Sequence, residues 1–223
     1  MSPELSWPLF EREAERYQDW YATAAGQRAS RAETELLDWL LAPFAGARTV
    51  LDVGCGTGHF TAWLAWRGLR PIGLDRAPSM LASFRRRHPA LATVLSDAHA
   101  LPLRNGAVDL VVFVTTLEFV ESPPRALAEA VRVARFGIVA VALNRWSVGA
   151  LSRRFGSASR GALLPHARDF SGRELRSLFA EASQTRRSRV RWRTCLLPAP
   201  LCPGPTRLPL GDIVGIAAEL WSG

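Results

Sequence analysis

Hydrophobic and polar positions recur in two rhythms along this chain, and the change of rhythm divides it. Up to about residue 45 the spacing is helical. Glu11 to Trp20 mixes charges with Ala14, Tyr17 and Trp20 behind Phe10, and Leu36, Leu37, Leu40 and Leu41 form the apolar stripe of a second helix ending near Pro43. Ala24, Ala25 and Gly26 mark the break between the two helices. From Thr49 onward, short apolar runs alternate with helical stretches. The runs are Val50 to Val53, Pro71 to Asp75, Ala92 to Leu95, Val108 to Val114 and Gly137 to Leu143. Between them, His59 to Arg67 and Pro78 to His88 have helical spacing, as does the stripe Ala126, Leu127, Ala130, Val131 and Ala134 behind Pro123 and Pro124. Runs without a polar face belong in a buried parallel sheet, and strand–helix alternation with short connections predicts a doubly wound α/β fold.

Beyond Leu143 the pattern is less regular. Arg145 to Gly161 reads as a helix followed by a loop, and Phe170 and Ser171 introduce a helix with Leu175, Leu178 and Phe179 inward. Arg189 to Leu196 alternates, with Arg189, Arg191 and Arg193 on one side and Val190, Trp192 and Thr194 on the other. Such an arginine face suits a protected sheet edge at least as well as a nucleic-acid patch. A proline-rich run from Pro198 to Pro209 is a loop, and Asp212 to Glu219 is apolar enough for a final buried strand. There is no internal repeat and no second core pattern.

The stretch with the most chemistry is Thr49 to Gly58, TVLDVGCGTG. A buried strand runs into three glycines, which let the backbone turn sharply and approach a ligand without an intervening Cβ, and the turn delivers that ligand to a helix N-terminus. Two further strand ends carry carboxylates. Asp75 closes the second run, where a carboxylate can accept from both ribose hydroxyls, and Asp97 follows the third. All three features fall at the carboxyl edge of the sheet, beside the expected switch point. A nicotinamide site of the GxGxxG type is the competing reading, but the residue after Gly58 is His59.

Composition bounds the partners. At 223 residues, 48% hydrophobic and 22% charged, the chain can bury a full core, and no apolar run approaches the roughly 20 residues of a membrane span. The first residues lack the basic start and apolar middle of a signal peptide, so a cytoplasmic protein is expected. Cys55, Cys195 and Cys202 match neither a disulfide framework nor a CxxC site, and His59, His88 and His99 have no metal-ligand spacing, so no metal is expected. The net charge is +8, and every basic side chain apart from histidine is arginine. That balance favours anionic partners, a small acid or a nucleic acid. A compositional bias toward Ala, Arg, Pro and Gly would produce the same excess.

Asp52–Gly58 (DVGCGTG), Gly73–Asp75 (GLD), Ser96–Leu103 (SDAHALPL) and Val108–Val120 (VDLVVFVTTLEFV) together resemble the ordered motifs of class I S-adenosylmethionine-dependent methyltransferases, in the ubiquinone/menaquinone-type branch. The resemblance covers about Tyr17 to Leu143 and continues loosely through RDFSGRELRSLF. It implies a Rossmann-like seven-stranded doubly wound sheet, mostly parallel with an antiparallel final strand, plus an N-terminal helical cap. The whole chain, 1–223, is then one domain: a cap at 1–45, a cofactor-binding core at 46–143 and a substrate-side, sheet-completing region at 144–223. The cofactor implied is S-adenosylmethionine. By resemblance, Asp52 would hold the methionine amino group through the loop, Gly54, Cys55, Gly56 and Gly58 would lie under the methionine and ribose, and Asp75 with Arg76 would meet the ribose. Asp97 would accept from the adenine amino group while Ala98 touches the ring. Thr115 would line the methionine side, and Tyr17 and Tyr21 would close over the cofactor or pack as core.

Methyl transfer from a sulfonium needs a base only if the acceptor must lose a proton, so a catalytic signature can be absent from an active enzyme. Glu118 is the candidate, placed just past the fourth strand where relatives often carry histidine; its bland alternative is a solvated residue starting a loop. Arg145, Trp146, His166 and Arg168 occupy segments from which such enzymes build substrate pockets, and two arginines would suit an acidic acceptor. A small-molecule methyltransferase is the expected function. RNA methylation, suggested by the arginine excess, and a non-catalytic cofactor-binding module are the alternatives, because one cofactor scaffold serves many acceptors. The acceptor atom and the oligomeric state are not legible in the chain.

Overall fold

The computed structural model describes residues 7–147, 150, 167–184, 186–196 and 204–221. Seven strands form one sheet: β1 (Thr49–Val53), β2 (Arg70–Asp75), β3 (Ala92–Leu95), β4 (Val108–Val114), β5 (Ala134–Leu143), β6 (Arg187–Cys195) and β7 (Ile213–Trp221). Their order is β3-β2-β1-β4-β5-β7-β6. Pairing is parallel from β3 through β5, and β7 runs antiparallel between β5 and β6. The mostly parallel sheet with one reversed final strand is the architecture the motifs imply.

The helices are α1 (Trp7–Ala22), α2 (Ala24–Leu41), α3 (His59–Trp66), α4 (Pro78–Arg87), α5 (Pro123–Val133) and α6 (Gly172–Ala182). Alternation along β4 shows why both faces are covered. Leu110, Val112 and Val114 pack with Val50, Val139 and Val141 against Leu36, Leu37 and Leu40 of α2 and Phe60 and Leu64 of α3. Val111 and Phe113 pack with Leu51, Val53, Ile138 and Ala140 against α5 and α6, through Ala126, Leu127, Leu175 and Phe179. A strand buried on both sides cannot alternate in polarity, and all seven residues of β4 are buried.

Several boundaries differ from the sequence reading. The break between the first two helices lies at Thr23, not at Ala24–Gly26: the Thr23 Oγ1 caps α2 by accepting from the Gly26 amide at 3.0 Å. Strand β5 begins at Ala134 rather than Gly137, because α5 passes into it with no loop and Ala134 is already extended. Strand β7 continues to Trp221, where it pairs with Arg187. The arginine face of β6 lies at the sheet edge, where the Arg191 and Arg193 guanidiniums stand 3.5 and 4.3 Å from the Trp39 ring centroid and Arg191 donates to the Trp39 carbonyl at 2.8 Å. Residues 151–166 and Cys202 lie outside the described residues, and with them most of the expected helix after Arg145. No described helix is long and apolar enough to cross a membrane.

Candidate functional site

The chain leaves β1 at Val53 and is tied at once to β2, since the Gly54 and Cys55 amides both donate to the Leu74 carbonyl, at 2.7 and 3.0 Å. Gly58 then caps α3 in a left-handed conformation, φ +88°, and a Cβ there would sit 2.5 Å from the Phe84 ring. Gly56 is left-handed too, φ +54°, but a Cβ on it would point toward Tyr17 and Met80 at 3.7 and 3.9 Å. The first glycine is required by packing, and the second faces a cleft. Cys55 is buried and packs toward β2, where a Cβ on Gly73 would meet its sulfur at 2.9 Å.

That cleft encloses about 660 Å³ of non-atom space, open solvent at its mouth included. Gly54, Gly56, Asp75, Arg76, Ala98, Thr115 and Tyr17 line it, together with Phe10, Met80, Ser96, Thr116 and Phe119. Asp75 stands at its floor. Its Oδ2 accepts from the Gly56 amide at 2.8 Å and its Oδ1 from the Ala77 amide at 2.9 Å. The carboxylate keeps acceptor capacity for a ligand hydroxyl. Burial raises the Asp75 pKa, and the amides of Ala77, Gly56 and Arg76 oppose that rise.

Asp52 sits deeper, below the loop. Its Oδ2 accepts from Thr61 Oγ1 in the first turn of α3 at 2.5 Å. Burial pushes its pKa up to about 7 against the Thr61 bond, with the Asp75 charge adding to the rise. Asp97 is the opposite case, its side chain 41% exposed. Its Oδ1 accepts from the His99 amide at 2.8 Å and lies 2.7 Å from His99 Nδ1. Partial burial raises its pKa, but the His99 contacts and Arg76 outweigh this and hold the carboxyl below the usual range. Arg76 pairs with Glu121 at 2.5 Å and lies 3.8 Å from Asp97 Oδ2.

The N-terminal cap seats directly on the loop. Both Glu11 carboxylate oxygens accept from the Ser79 amide in the first turn of α4 at 3.3 Å, and Gln18 accepts from Thr57 Oγ1 at 2.7 Å. Phe10 meets Phe119 edge-on at 4.9 Å. Tyr17 meets Tyr21 edge-on at 5.9 Å, and burial raises its pKa. Tyr21 stacks on His59 at 3.9 Å, and burial, with the His88 charge, pushes the His59 pKa down to about 4. Tyr17 therefore lines the cleft, while Tyr21 belongs to the core behind it. Thr115 closes β4 at φ +49°, uncommon for a threonine, and its amide is held by the Val141 carbonyl at 2.8 Å.

The acceptor-side candidates do not gather in this cleft. Glu118 is buried rather than solvated: Oε1 accepts from the Leu143 amide at 2.7 Å and its carbonyl accepts from the Arg168 amide at 3.0 Å. Arg145 and Arg168 converge on Glu174, at 3.0 and 2.5 Å. Trp146 is 62% exposed, and His166 lies outside the described residues. Sequence reasoning missed Phe10, Met80, Thr116 and Phe119. Thr116 and Phe119 fall within the TTLEFV motif and could have been found there; Phe10 and Met80 carry only a helical apolar spacing, which does not tell cleft from core. Among the described residues, no three His, Cys, Asp or Glu side chains come together as a metal site.

Comparison with known proteins agrees with this geometry. A family described as the methyltransferase domain matches residues 51–141. An uncharacterized methyltransferase of Mycobacterium bovis is 41% identical over 103 residues, 46% of this chain and 41% of that one. A malonyl-[acyl-carrier protein] O-methyltransferase of Pectobacterium atrosepticum is 35% identical over 132 residues, 56% of this chain and 52% of its own. The chain thus spans about half the length of these curated relatives. Among solved structures, an S-adenosylmethionine-dependent methyltransferase of Thermotoga maritima, described as a possible histamine N-methyltransferase, superposes with a TM-score of 0.76 at 26% identity over 96% of this chain and 99% of that one. Residues 51–141 therefore match a methyltransferase domain, and the chain as a whole is similar in fold to a solved S-adenosylmethionine-dependent methyltransferase.

Proposed function

We propose that the protein transfers a methyl group from S-adenosylmethionine to a small acceptor, and that the cleft between the glycine loop and α1 is where it does so. The observation that carries this is Asp75: a carboxylate at the end of β2, held by two backbone amides, facing a cleft into which a Cβ on Gly56 would project. Those residues fit the group. Asp75 would accept from the ribose hydroxyls, Gly54 and Gly56 would let the loop backbone approach, and Asp97 would accept from the adenine amino group beside Ala98. Asp52 acts from behind the loop, fixing the first turn of α3 through Thr61. Bound S-adenosylmethionine supplies an electrophilic methyl carbon whose leaving group departs without a proton.

The chain's contribution is then placement and exclusion of water. Holding an acceptor atom in line with a methyl carbon is worth up to roughly 7–11 kcal/mol of barrier. Tyr17 and Thr115, which both line the cleft, and the Phe10–Phe119 contact shape the wall against which an acceptor would rest. Glu118 is better read as a structural brace between β4 and β5 than as a base, given its bond to the Leu143 amide. Support for a small acceptor comes from the cap packed over the cleft and from relatives named for a malonyl group on an acyl-carrier protein or, as a possibility, for histamine. Against an RNA acceptor stands the engagement of Arg191 and Arg193 with Trp39. Calorimetric titration of S-adenosylmethionine into wild type and Asp75→Ala tests the site: loss of at least tenfold in affinity is expected from a charge-assisted bond pair, and retained affinity overturns the assignment. Turnover to S-adenosylhomocysteine with a member of an acceptor panel separates the enzyme from a binding module.

A further inference from the structure

We propose that His99 is a positioning residue for the adenine end of the site, holding the Asp97 carboxylate in place through Nδ1–H while its Nε2 anchors the ring to the start of α5. The proposal rests on reading Asp97 as the acceptor for the adenine amino group. The Ser122 amide donates to His99 Nε2 at 3.1 Å, and a backbone N–H can only donate. Nε2 is therefore bare, the ring is neutral in this arrangement, and its proton is on Nδ1, 2.7 Å from Asp97 Oδ1. The same Oδ1 accepts from the His99 amide at 2.8 Å, so one residue grips one oxygen twice.

Why the Ser122 amide turns to His99 follows from the sequence. Helix α5 opens with Pro123 and Pro124, which have no N–H, so of its first four amides only those of the N-cap Ser122 and of Arg125 remain as donors, and that of Ser122 meets His99. The loop after β3 and the loop before α5 are thereby joined across the rim of the cleft. The charged groups around the ring are Asp97, Glu121, whose Oε2 lies 3.9 Å from Nδ1, and Arg76, which bridges Glu121 and Asp97. With Oδ1 occupied twice, Oδ2 is the oxygen turned to Arg76 and left for a ligand amino group. The His99 side chain is only 13% exposed, so the linkage is sheltered where the carboxylate it holds is not.

The two nitrogens can be separated by substitution. His99→Asn places an amide N–H near the position of Nδ1 and keeps a donor to Asp97; His99→Gln reaches the position of Nε2, keeps an acceptor for Ser122 and loses that donor. The measurement is the ratio of affinities for S-adenosylhomocysteine and S-inosylhomocysteine, by calorimetry, with circular dichroism melts showing that each variant is folded. Wild type is expected to prefer the adenine compound by about tenfold or more, the worth of one hydrogen bond to a charged acceptor. His99→Gln lowers that ratio about threefold or more and His99→Asn retains it. A His99→Gln ratio equal to wild type, or an equal loss of affinity for both compounds, overturns the proposal. Asp97→Ala separates the two levels: if it leaves the ratio unchanged, the adenine reading itself fails and takes this one with it, whereas a collapsed ratio in Asp97→Ala beside an intact one in His99→Gln removes only His99.

Discussion

Asp75 and Glu174 are both partly buried carboxylates near the carboxyl edge of one sheet, and they spend their charge in opposite ways. The oxygens of Asp75 are held by the neutral amides of Gly56 and Ala77, which orient the carboxylate and leave its charge unpaired for a ligand. The oxygens of Glu174 face the guanidiniums of Arg145 and Arg168, so three charges largely satisfy one another. The difference teaches that the charge available to a ligand depends on what the backbone presents around it, and a count of arginines does not supply that. The glycine-loop half has its polar groups aimed by local turns; the half after Leu143 has them aimed by one another.

The sharpest break should come at the loop. Gly58→Val puts a β-branched side chain at φ +88° with its Cβ 2.5 Å from the Phe84 ring, and a loss of about 3 kcal/mol or more in urea unfolding is expected. Gly56→Ala sharpens the contrast, because its Cβ meets only cleft. Stability should fall by about 1 kcal/mol for the positive φ while cofactor affinity drops tenfold or more in calorimetry. Equal effects of the two substitutions on stability would show that the distinction between packing and cleft glycines is wrong.

Next comes the buried acid beneath the loop. The folded pKa of Asp52 is raised, from 3.8 to about 7, so the folded state holds a proton that the unfolded chain has released. Its contribution is most favourable below about pH 4 and drains away as pH rises to 7. His59 is depressed, from 6.5 to about 4, so its contribution drains in the other direction, as pH falls from 6.5 to 4. The two slopes oppose one another in wild type. In the ligand-free protein, Asp52→Asn should therefore gain stability relative to wild type as pH rises from 4 to 7, by about 3 kcal/mol across the window. Urea midpoints at several pH values check this, and a difference that stays flat rejects the burial argument.

The smallest effect is expected on the other side of the comparison. Glu174→Gln frees Arg145 and Arg168, whose side chains are 37% and 48% exposed, and exposed pairs of this kind contribute about 1 kcal/mol or less. Cofactor affinity should not change. A tenfold change in affinity would mean that Glu174 belongs to the site and that the two halves are not separate.

The strands, the loop and the carboxylates at the strand ends were legible because each is written in neighbouring residues. Val108–Val114 is apolar throughout because both faces are covered, and Gly56 and Gly58 mark their own left-handed turns. The helix break at Thr23 was legible too, as a threonine cap, but Ala24–Gly26 drew the eye by composition. Glu118 could not be read: its Oε1 is bound to the amide of Leu143, 25 residues away, and nothing in LEF distinguishes a brace from a solvated turn. The same holds for the arginines of β6, which became an edge covering only because α2 lays Trp39 against them.

Taken alone, the amino-acid order determined the alternation of strand and helix, the place of the glycine turn and the acids that follow β2 and β3, since periodicity and backbone freedom are local properties. Only the tertiary structure decided which of those acids is held by backbone amides, which arginines are already paired, and that the Ser122 amide meets His99 Nε2. Those outcomes depend on donors and acceptors brought together from distant positions, and hydrogen-bond geometry is satisfied in space rather than along the chain.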